Sequence, residues 1–348
     1  MRKNTREVRV GNIKLGNNNK IRIQSMTNTV TKDIIATVDQ IRELKNVGCE
    51  IVRVAVPDMD TAKILGKIIE NIEIPLIADI HFDHRLALES IYQGVHGVRI
   101  NPGNIGSIEK VKEVVSMAKE GNIKIRIGVN GGSLEKRLLE KYKGPTPDAL
   151  VESALDQIKI LEDLEFYNTV ISLKSSDIWT TVKAYEKFSE ISDYPLHIGV
   201  TEAGTPKKGT IRSSIGIGHL LMQGIGDTLR VSLTGDPKEE IIVAKEILRA
   251  LDIEKGGIRI ISCPTCGRTN IDLVSICNKV EEMIEGIEKD MTVAIMGCAV
   301  NGPGEAKEAD LGIAGGNGMG LIFKKGEIIK RVPEDELLDN LMDEIEKF

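Results

Sequence analysis

Across the first 253 residues, short runs rich in β-branched side chains alternate with longer runs whose apolar positions recur every three to four residues. The first kind fits strands buried on both faces, predicted at 20–25, 50–56, 74–81, 97–101, 124–129, 169–174, 195–201 and 227–233. The second predicts amphipathic helices at 32–47, 60–71, 84–93, 107–120, 147–165, 178–191, 209–224 and 237–251. Near-continuously apolar strands separated by helices pair in parallel, and eight such units in about 250 residues is the count of a (β/α)8 barrel, the TIM-barrel class of α/β fold. An open doubly wound sheet is the competing arrangement, but it usually has fewer units and a Gly-rich first turn. Residues 12–19 are turn-rich, with room for a short hairpin.

The pattern changes at Gly256-Gly257. Beyond it we expect a strand at 258–262, a helix at 271–288, a strand at 291–296, short strands near 310–314, 319–323 and 327–332, and a terminal helix from Pro333. This predicts two domains, a barrel over 1–254 and a smaller α+β unit over 255–348.

Composition narrows the partners. The 348 residues carry a formal net charge of −6, which argues against a general nucleic-acid binder. Residues 1–10 are charged and lack the apolar core of a signal peptide. No apolar stretch reaches the roughly 18 residues of a membrane span. Five cysteines, an odd number, point to a reducing cytoplasm and to metal or redox use instead of a disulfide framework.

In a (β/α)8 barrel the C-terminal strand ends line the site, so polar residues there carry a functional expectation. Arg53 lies on the second strand, and the third ends Asp79-Ile80-His81. Arg99 and Asn101 are two apart on the fourth strand, and Arg126, Gly128 and Asn130 alternate on the fifth, so each set shares a side of its strand. Ser172 and Lys174 follow on the sixth, His197, Thr201 and Glu202 on the seventh, and Arg230 and Ser232 on the eighth. Any single arginine could be a structural ion pair. Together, Arg53, Arg99, Arg126, Lys174 and Arg230 face only Asp79 and Glu202, and buried cations are costly unless paired. An external polyanion balances them, most simply a diphosphate, with Asn101 and Asn130 orienting it. The loop 102–106 has an anion-friendly composition, though such loops are common. His81 and His197 lack a third ligand at metal spacing, so positioning or proton donation is expected of them. His84, His96 and His219 carry no such expectation. Glu202 can balance the arginines or act as a general acid, and the residues alone leave both open.

The second domain holds Cys263-Pro264-Thr265-Cys266 and, after the next strand, Cys298. A thioredoxin-like motif needs no third cysteine, and zinc wants a fourth Cys or His, whereas this domain has no histidine. Cys277 falls on the apolar stripe of a helix and Cys49 at a strand start, both read as core. Three thiolates with no fourth soft ligand suit a [4Fe–4S] cluster whose fourth iron takes an oxygen ligand. Glu305, at the end of the Gly-rich loop after Cys298, is the candidate donor.

These strings, with Cys263-Pro264-Thr265-Cys266-Gly267-Arg268, Gly297-Cys298, Asn301-Gly302-Pro303-Gly304-Glu305 and Ala309-Asp310-Leu311-Gly312, resemble the 4-hydroxy-3-methylbut-2-enyl diphosphate synthase family (IspG, or GcpE) in its bacterial two-domain form. Gln24-Ser25-Met26-Thr27, the run from Val98 to Asn104 and the run from His197 to Gly204 resemble it too, so the likeness spans the chain. The resemblance implies reductive opening of 2-C-methyl-D-erythritol 2,4-cyclodiphosphate in the non-mevalonate isoprenoid route, with ferredoxin or flavodoxin as electron donor. It implies Cys263, Cys266, Cys298 and Glu305 as cluster ligands. The alternative class is a phosphate-binding barrel transferase, such as a pterin-dependent one, with a structural metal domain.

A last expectation concerns assembly. Each helix of such a barrel returns the chain to the face opposite the site. A linker of a few residues after the eighth helix spans about 10–15 Å, too short to climb the barrel. The expected solution is a head-to-tail homodimer in which one chain's cluster domain caps the other's barrel, as the resemblance also implies.

Overall fold

The computed structural model describes residues 2–101, 105, 107–284, 286–298, 306–316 and 318–348. Two units emerge, Met1–Leu251 and Asp252–Phe348.

The first opens with a hairpin, β1 (Val8–Val10) against β2 (Ile13–Leu15), turning at Gly11-Asn12. The expected hairpin at 12–19 thus starts earlier, because Gly11 takes the left-handed φ of +55° that the turn requires. Eight parallel strands follow: β3 (Arg22–Met26), β4 (Ile51–Ala55), β5 (Leu76–Asp79), β6 (Gly97–Ile100), β7 (Lys124–Asn130), β8 (Thr169–Lys174), β9 (His197–Ile198) and β10 (Thr228–Leu229). Their order is β8-β7-β6-β5-β4-β3-β10-β9, and a parallel bridge from Ile171 to Leu196 joins the two ends into a barrel. Val8, Val10 and Leu15 of the hairpin pack on Ile51, Ile77 and Val170, which sit early in their strands. The hairpin therefore plugs the N-terminal end of the barrel with an apolar layer, leaving the other end for polar groups.

The surrounding helices are α1 (Ile34–Asn46), α2 (Met59–Lys63), α3 (Leu65–Ile69), α4 (His84–Tyr92), α5 (Ile108–Glu120), α6 (Lys136–Tyr142), α7 (Pro147–Glu162), α8 (Ile178–Ile191), α9 (Pro206–Met222) and α10 (Pro237–Ala250). Three departures from the sequence expectation stand out. The helix expected at 60–71 breaks at Ile64, whose N–H reaches back three residues to the Thr61 carbonyl in a tight turn. Helix α9 begins at Pro206, which occupies the first helical position after Thr205. Helix α6 was not anticipated: it buries only Leu138, so no apolar period marks it.

The second unit is a five-stranded sheet in the order β11 (Ile258–Ser262), β12 (Met291–Met296), β13 (Leu311–Gly315), β14 (Met319–Lys324), β15 (Glu327–Pro333). β11, β12 and β13 run parallel, and β14 runs antiparallel to both of its neighbours, β13 and β15. Helices α11 (Leu273–Ile284) and α12 (Leu337–Lys347) cover one face, where Val280, Leu337, Leu341 and Ile345 meet Val293, Ile295, Ile313 and Ile322.

Candidate active site

Alternation along the barrel strands turns a file of polar side chains inward. Asp79 lies between two guanidinium groups, 3.5 Å from Arg53 Nε and 3.3 Å from Arg99 Nη1. Burial alone would raise the Asp79 carboxyl, but Arg53, His81 at 3.7 Å and Arg99 together hold it well below the carboxylate range. Arg99 Nη1 also lies 2.9 Å from His81 Nε2, and its Nη2 donates to the Gly128 carbonyl at 3.2 Å. Gly128 is there for space: a Cβ would stand 2.4 Å from Arg99 Nε. Gly199 does the same for Lys174, whose Nζ would lie 2.8 Å from a Cβ.

The charge balance differs from the sequence expectation. Glu202 does not offset the arginines; it is exposed, because the chain leaves β9 and turns outward with Glu202 in a left-handed conformation, φ +53°. Arg230 instead pairs with Glu240 of α10, Nε to Oε2 and Nη2 to Oε1 both at 3.2 Å. Arg126 Nη1 donates to Gln24 Oε1 at 2.9 Å, a neutral partner. Met26 offers its thioether sulfur to Arg53 at 3.1 and 3.2 Å and to Arg230 at 3.8 Å, a weak acceptor for two cations. Among the described residues neither Arg126 nor Lys174 has a carboxylate partner.

The cost of this surplus is visible in the pKa directions. Burial pushes Arg53 down to about 10, against the pull of Asp79. Burial, followed by neighbouring guanidinium groups, drives Arg126 and Lys174 well below their ordinary values. Lys124, in phase with Arg126 on β7 and also missed by the sequence reading, is affected in the same way. His197 is fully buried, shares a 2.7 Å contact between Nδ1 and Thr228 Oγ1, and is kept neutral by burial and by Lys174. Tyr185 of α8 fixes the backbone beside it, accepting from Leu173 N at 3.0 Å and donating to the His197 carbonyl at 2.6 Å. Arg99 Nε, Arg126 Nε, Gln24 Nε2 and His197 Nε2 are buried with no hydrogen-bond partner among the described residues. Unpartnered donors amid surplus positive charge are what a multivalent anion satisfies.

Above this layer opens a cavity of about 460 Å³, lined among others by His81, Arg99, Asn101, Asn130, Thr201 and Glu202. Ser232 is half-buried beyond β10 and is not among the lining residues. Gln24, Met26, Lys124 and Glu240 are the groups the sequence reading missed. Gln24 and Met26 alternate on β3 just as the arginines do on their strands, which was the available signal. His96 accepts from Leu76 N at 3.1 Å, a structural contact.

In the second unit, Cys263 follows β11 and Cys298 follows β12, parallel neighbours in which Ser262 pairs with Ile295. Both cysteines therefore leave the same sheet end. Gly297 N donates to Cys263 Sγ at 3.2 Å, and Asn270 N donates to the Gly297 carbonyl at 2.9 Å, tying the two loops together. The Arg268 N–H holds the exposed Cys266 thiol below its ordinary value. N–H donors aimed at sulfur favour the thiolate that a metal needs, so these residues fit an iron–sulfur group. Among the described residues no three His, Cys, Asp or Glu side chains converge as a finished metal site. Glu305 and the rest of 299–305 lie outside the described residues, as does most of the 102–106 loop. Cys49 is buried in the barrel core with its thiol pushed up to about 12 by burial. Cys277, expected in the core, is half-buried at its margin beside Cys263.

Comparison with known proteins agrees along the whole chain. Residues 5–245 match the GcpE TIM-barrel domain and residues 259–347 the GcpE protein C-terminal domain. A Clostridium perfringens protein named 4-hydroxy-3-methylbut-2-en-1-yl diphosphate synthase (flavodoxin) is 62% identical over 345 residues, covering 99% of each chain. A protein of the same name from Caldicellulosiruptor saccharolyticus is 61% identical over 341 residues, covering 98% of each. Among solved structures, the dihydropteroate synthase of Yersinia pestis superposes with a TM-score of 0.50 at 11% identity, over 71% of this chain and 98% of its own. That likeness speaks for the barrel fold alone. With both units matched in order to one family, and full-length relatives at this identity, the chain belongs to the GcpE family.

Proposed function

We propose that this chain is a 4-hydroxy-3-methylbut-2-enyl diphosphate synthase. It takes 2-C-methyl-D-erythritol 2,4-cyclodiphosphate, two electrons and two protons to the open-chain allylic diphosphate and water. The observation that carries the reading is the surplus of buried positive charge around Arg126 and Lys174, with its unpartnered donors, at the mouth end of the barrel. The full-length relatives named for this reaction support it.

In this reading Arg53, Arg99, Arg126, Lys174 and Arg230 grip the diphosphate, with Asn101, Asn130, Thr201 and Ser232 adding neutral contacts. Asp79 keeps Arg53 and Arg99 aimed, and His81 lies beside the same carboxylate. His197, neutral in the free barrel and fixed through Thr228, offers Nε2 as a further hydrogen-bond partner. Glu202 stands exposed at the cavity rim, where it can deliver a proton to a leaving oxygen.

The donor set of the second unit would hold a [4Fe–4S] cluster through Cys263, Cys266 and Cys298, with Glu305 as the oxygen ligand. When bound, the cluster would supply the two electrons and Lewis-acid character at the iron that lacks a thiolate. The electron donor is flavodoxin, named in the relatives, or ferredoxin. The cluster domain runs over 255–348, and the working unit is a homodimer whose active site draws on both chains. The chain works in the cytoplasm; no described helix is long and apolar enough to cross a membrane. The test is anaerobic purification with iron and sulfide counts, then turnover of the cyclodiphosphate with dithionite and viologen. Zinc in place of iron, with no visible absorption and no turnover, would favour a barrel transferase with a structural metal.

A further inference from the structure

The connection between β5 and α4 is short and unusual. Asp83 caps α4 by accepting from Arg85 N, and its own N–H donates to the His81 carbonyl at 2.8 Å. That bond spans two residues, so Phe82 is the centre of a three-residue turn, with φ +66°. Turns of this hand are rare and strained, and a bulky side chain adopts such a φ far less readily than glycine. The turn needs no Cβ, and Phe82 contributes little to the core, being 75% exposed. Its ring instead lies on the cavity rim, 6.0 Å from the His81 ring centre to centre. Ile80 and Ile105, also on the lining, are almost wholly buried.

Strain held at a site rim by a side chain that packs little on its own protein calls for a contact with something else. The charged layer lies deeper, at Arg99 and Arg126, and a ligand anchored there by its phosphates turns its carbon skeleton toward the mouth. We propose that Phe82 is a positioning and specificity residue, whose ring packs on the methyl-bearing carbon skeleton of a bound cyclic diphosphate and so separates it from bare polyphosphate anions. This rests on the substrate class proposed above.

The test measures binding of two probes, inorganic pyrophosphate and 2-C-methyl-D-erythritol 2,4-cyclodiphosphate, to the anaerobic holoenzyme and its Phe82→Gly and Phe82→Tyr variants. Phe82→Gly should bind pyrophosphate within about twofold of wild type yet lose about tenfold in cyclodiphosphate affinity, the scale of one aromatic contact. The turnover defect should fall mainly on KM. Phe82→Tyr, which keeps the ring, should restore wild-type behaviour, and the thermal midpoint of Phe82→Gly should be unchanged or raised because the strain is relieved. Wild-type cyclodiphosphate affinity in Phe82→Gly, or equal loss of both probes, would overturn the assignment. Failure of the wild-type enzyme to bind either probe would instead remove the substrate class itself, and the assignment with it.

Discussion

Glu240 of α10 meets Arg230 of the barrel through two contacts of 3.2 Å, and the same carboxylate also accepts from Ser25 Oγ and Leu233 N, each at 3.1 Å. One buried acid thus ties a helix to β3 and to the chain leaving β10. Removing it leaves the Arg230 cation without its counterion. Glu240→Ala should cost about 3–5 kcal/mol of stability, the range for breaking a buried pair from one side. Chemical denaturation checks this. A loss below about 1 kcal/mol would put the pair in the class of exposed surface bridges.

The depressed bases make binding pH-dependent. Burial and neighbouring cations lower Lys174 and His197 in the free barrel, and a bound diphosphate favours their charged forms. Their values therefore rise on binding, protons are taken up, and affinity falls as the pH is raised from their values in the free barrel through those in the complex. Calorimetric titration with pyrophosphate in two buffers of different ionisation enthalpy should report net proton uptake by the protein, after correction for the ligand's own ionisation. Buffer-independent heats, or proton release, would contradict this.

Much of this site was legible because it follows the strand period. Arg126, Gly128 and Asn130 alternate, and so do Arg99 and Asn101, and the structure turns both sets inward. The counter-charges were not legible in the same way. Glu239 and Glu240 stand side by side in the first turn of α10, and only packing buries Glu240 while Glu239 stays exposed. Glu202, counted with Asp79 as a balancing acid, points outward because the chain bends after β9. Lys124 obeys the same alternation as Arg126, but a lysine at a strand start reads as solvated until the plugging hairpin is known.

Glu202 stands exposed on the rim and pairs with no arginine among the described residues. Glu202→Gln should therefore retain substrate binding and fold while lowering kcat, by roughly 10²-fold for a lost acid–base group. Steady-state kinetics across pH decides it: a Gln variant with wild-type kcat throughout would remove Glu202 from proton transfer.

Glu305 is the proposed oxygen ligand beside three thiolates. Glu305→Ala should leave the circular dichroism of the fold intact while making the cluster's visible absorption decay faster in air and lowering turnover. Normal absorption with normal turnover would show that another group, or solvent, serves that iron.

The last prediction concerns which chain supplies which half of the site. Helix α10 ends at Ala250 and β11 begins at Ile258, so seven residues connect the units. Fully extended, they span at most about 25 Å. In a (β/α)8 barrel each helix delivers the chain to the end opposite the strand C-termini, which is the end that the hairpin plugs here. The connection therefore begins at the far end from the cations, whereas reduction requires the cluster to reach the substrate they hold. The proposed two-fold pair would resolve the conflict, because the cluster domain of each chain could then serve the barrel mouth of the other. Two inactive variants, Cys298→Ser and Arg126→Ala, test it. Each lacks a different half of the site, so a mixed dimer contains one composite site with both halves intact. Co-expression with separate affinity tags, followed by sequential purification of the mixed species, should recover about half of the wild-type activity per dimer, one site of two. Mixed dimers of verified composition that remain inactive would place both halves of the site within a single chain.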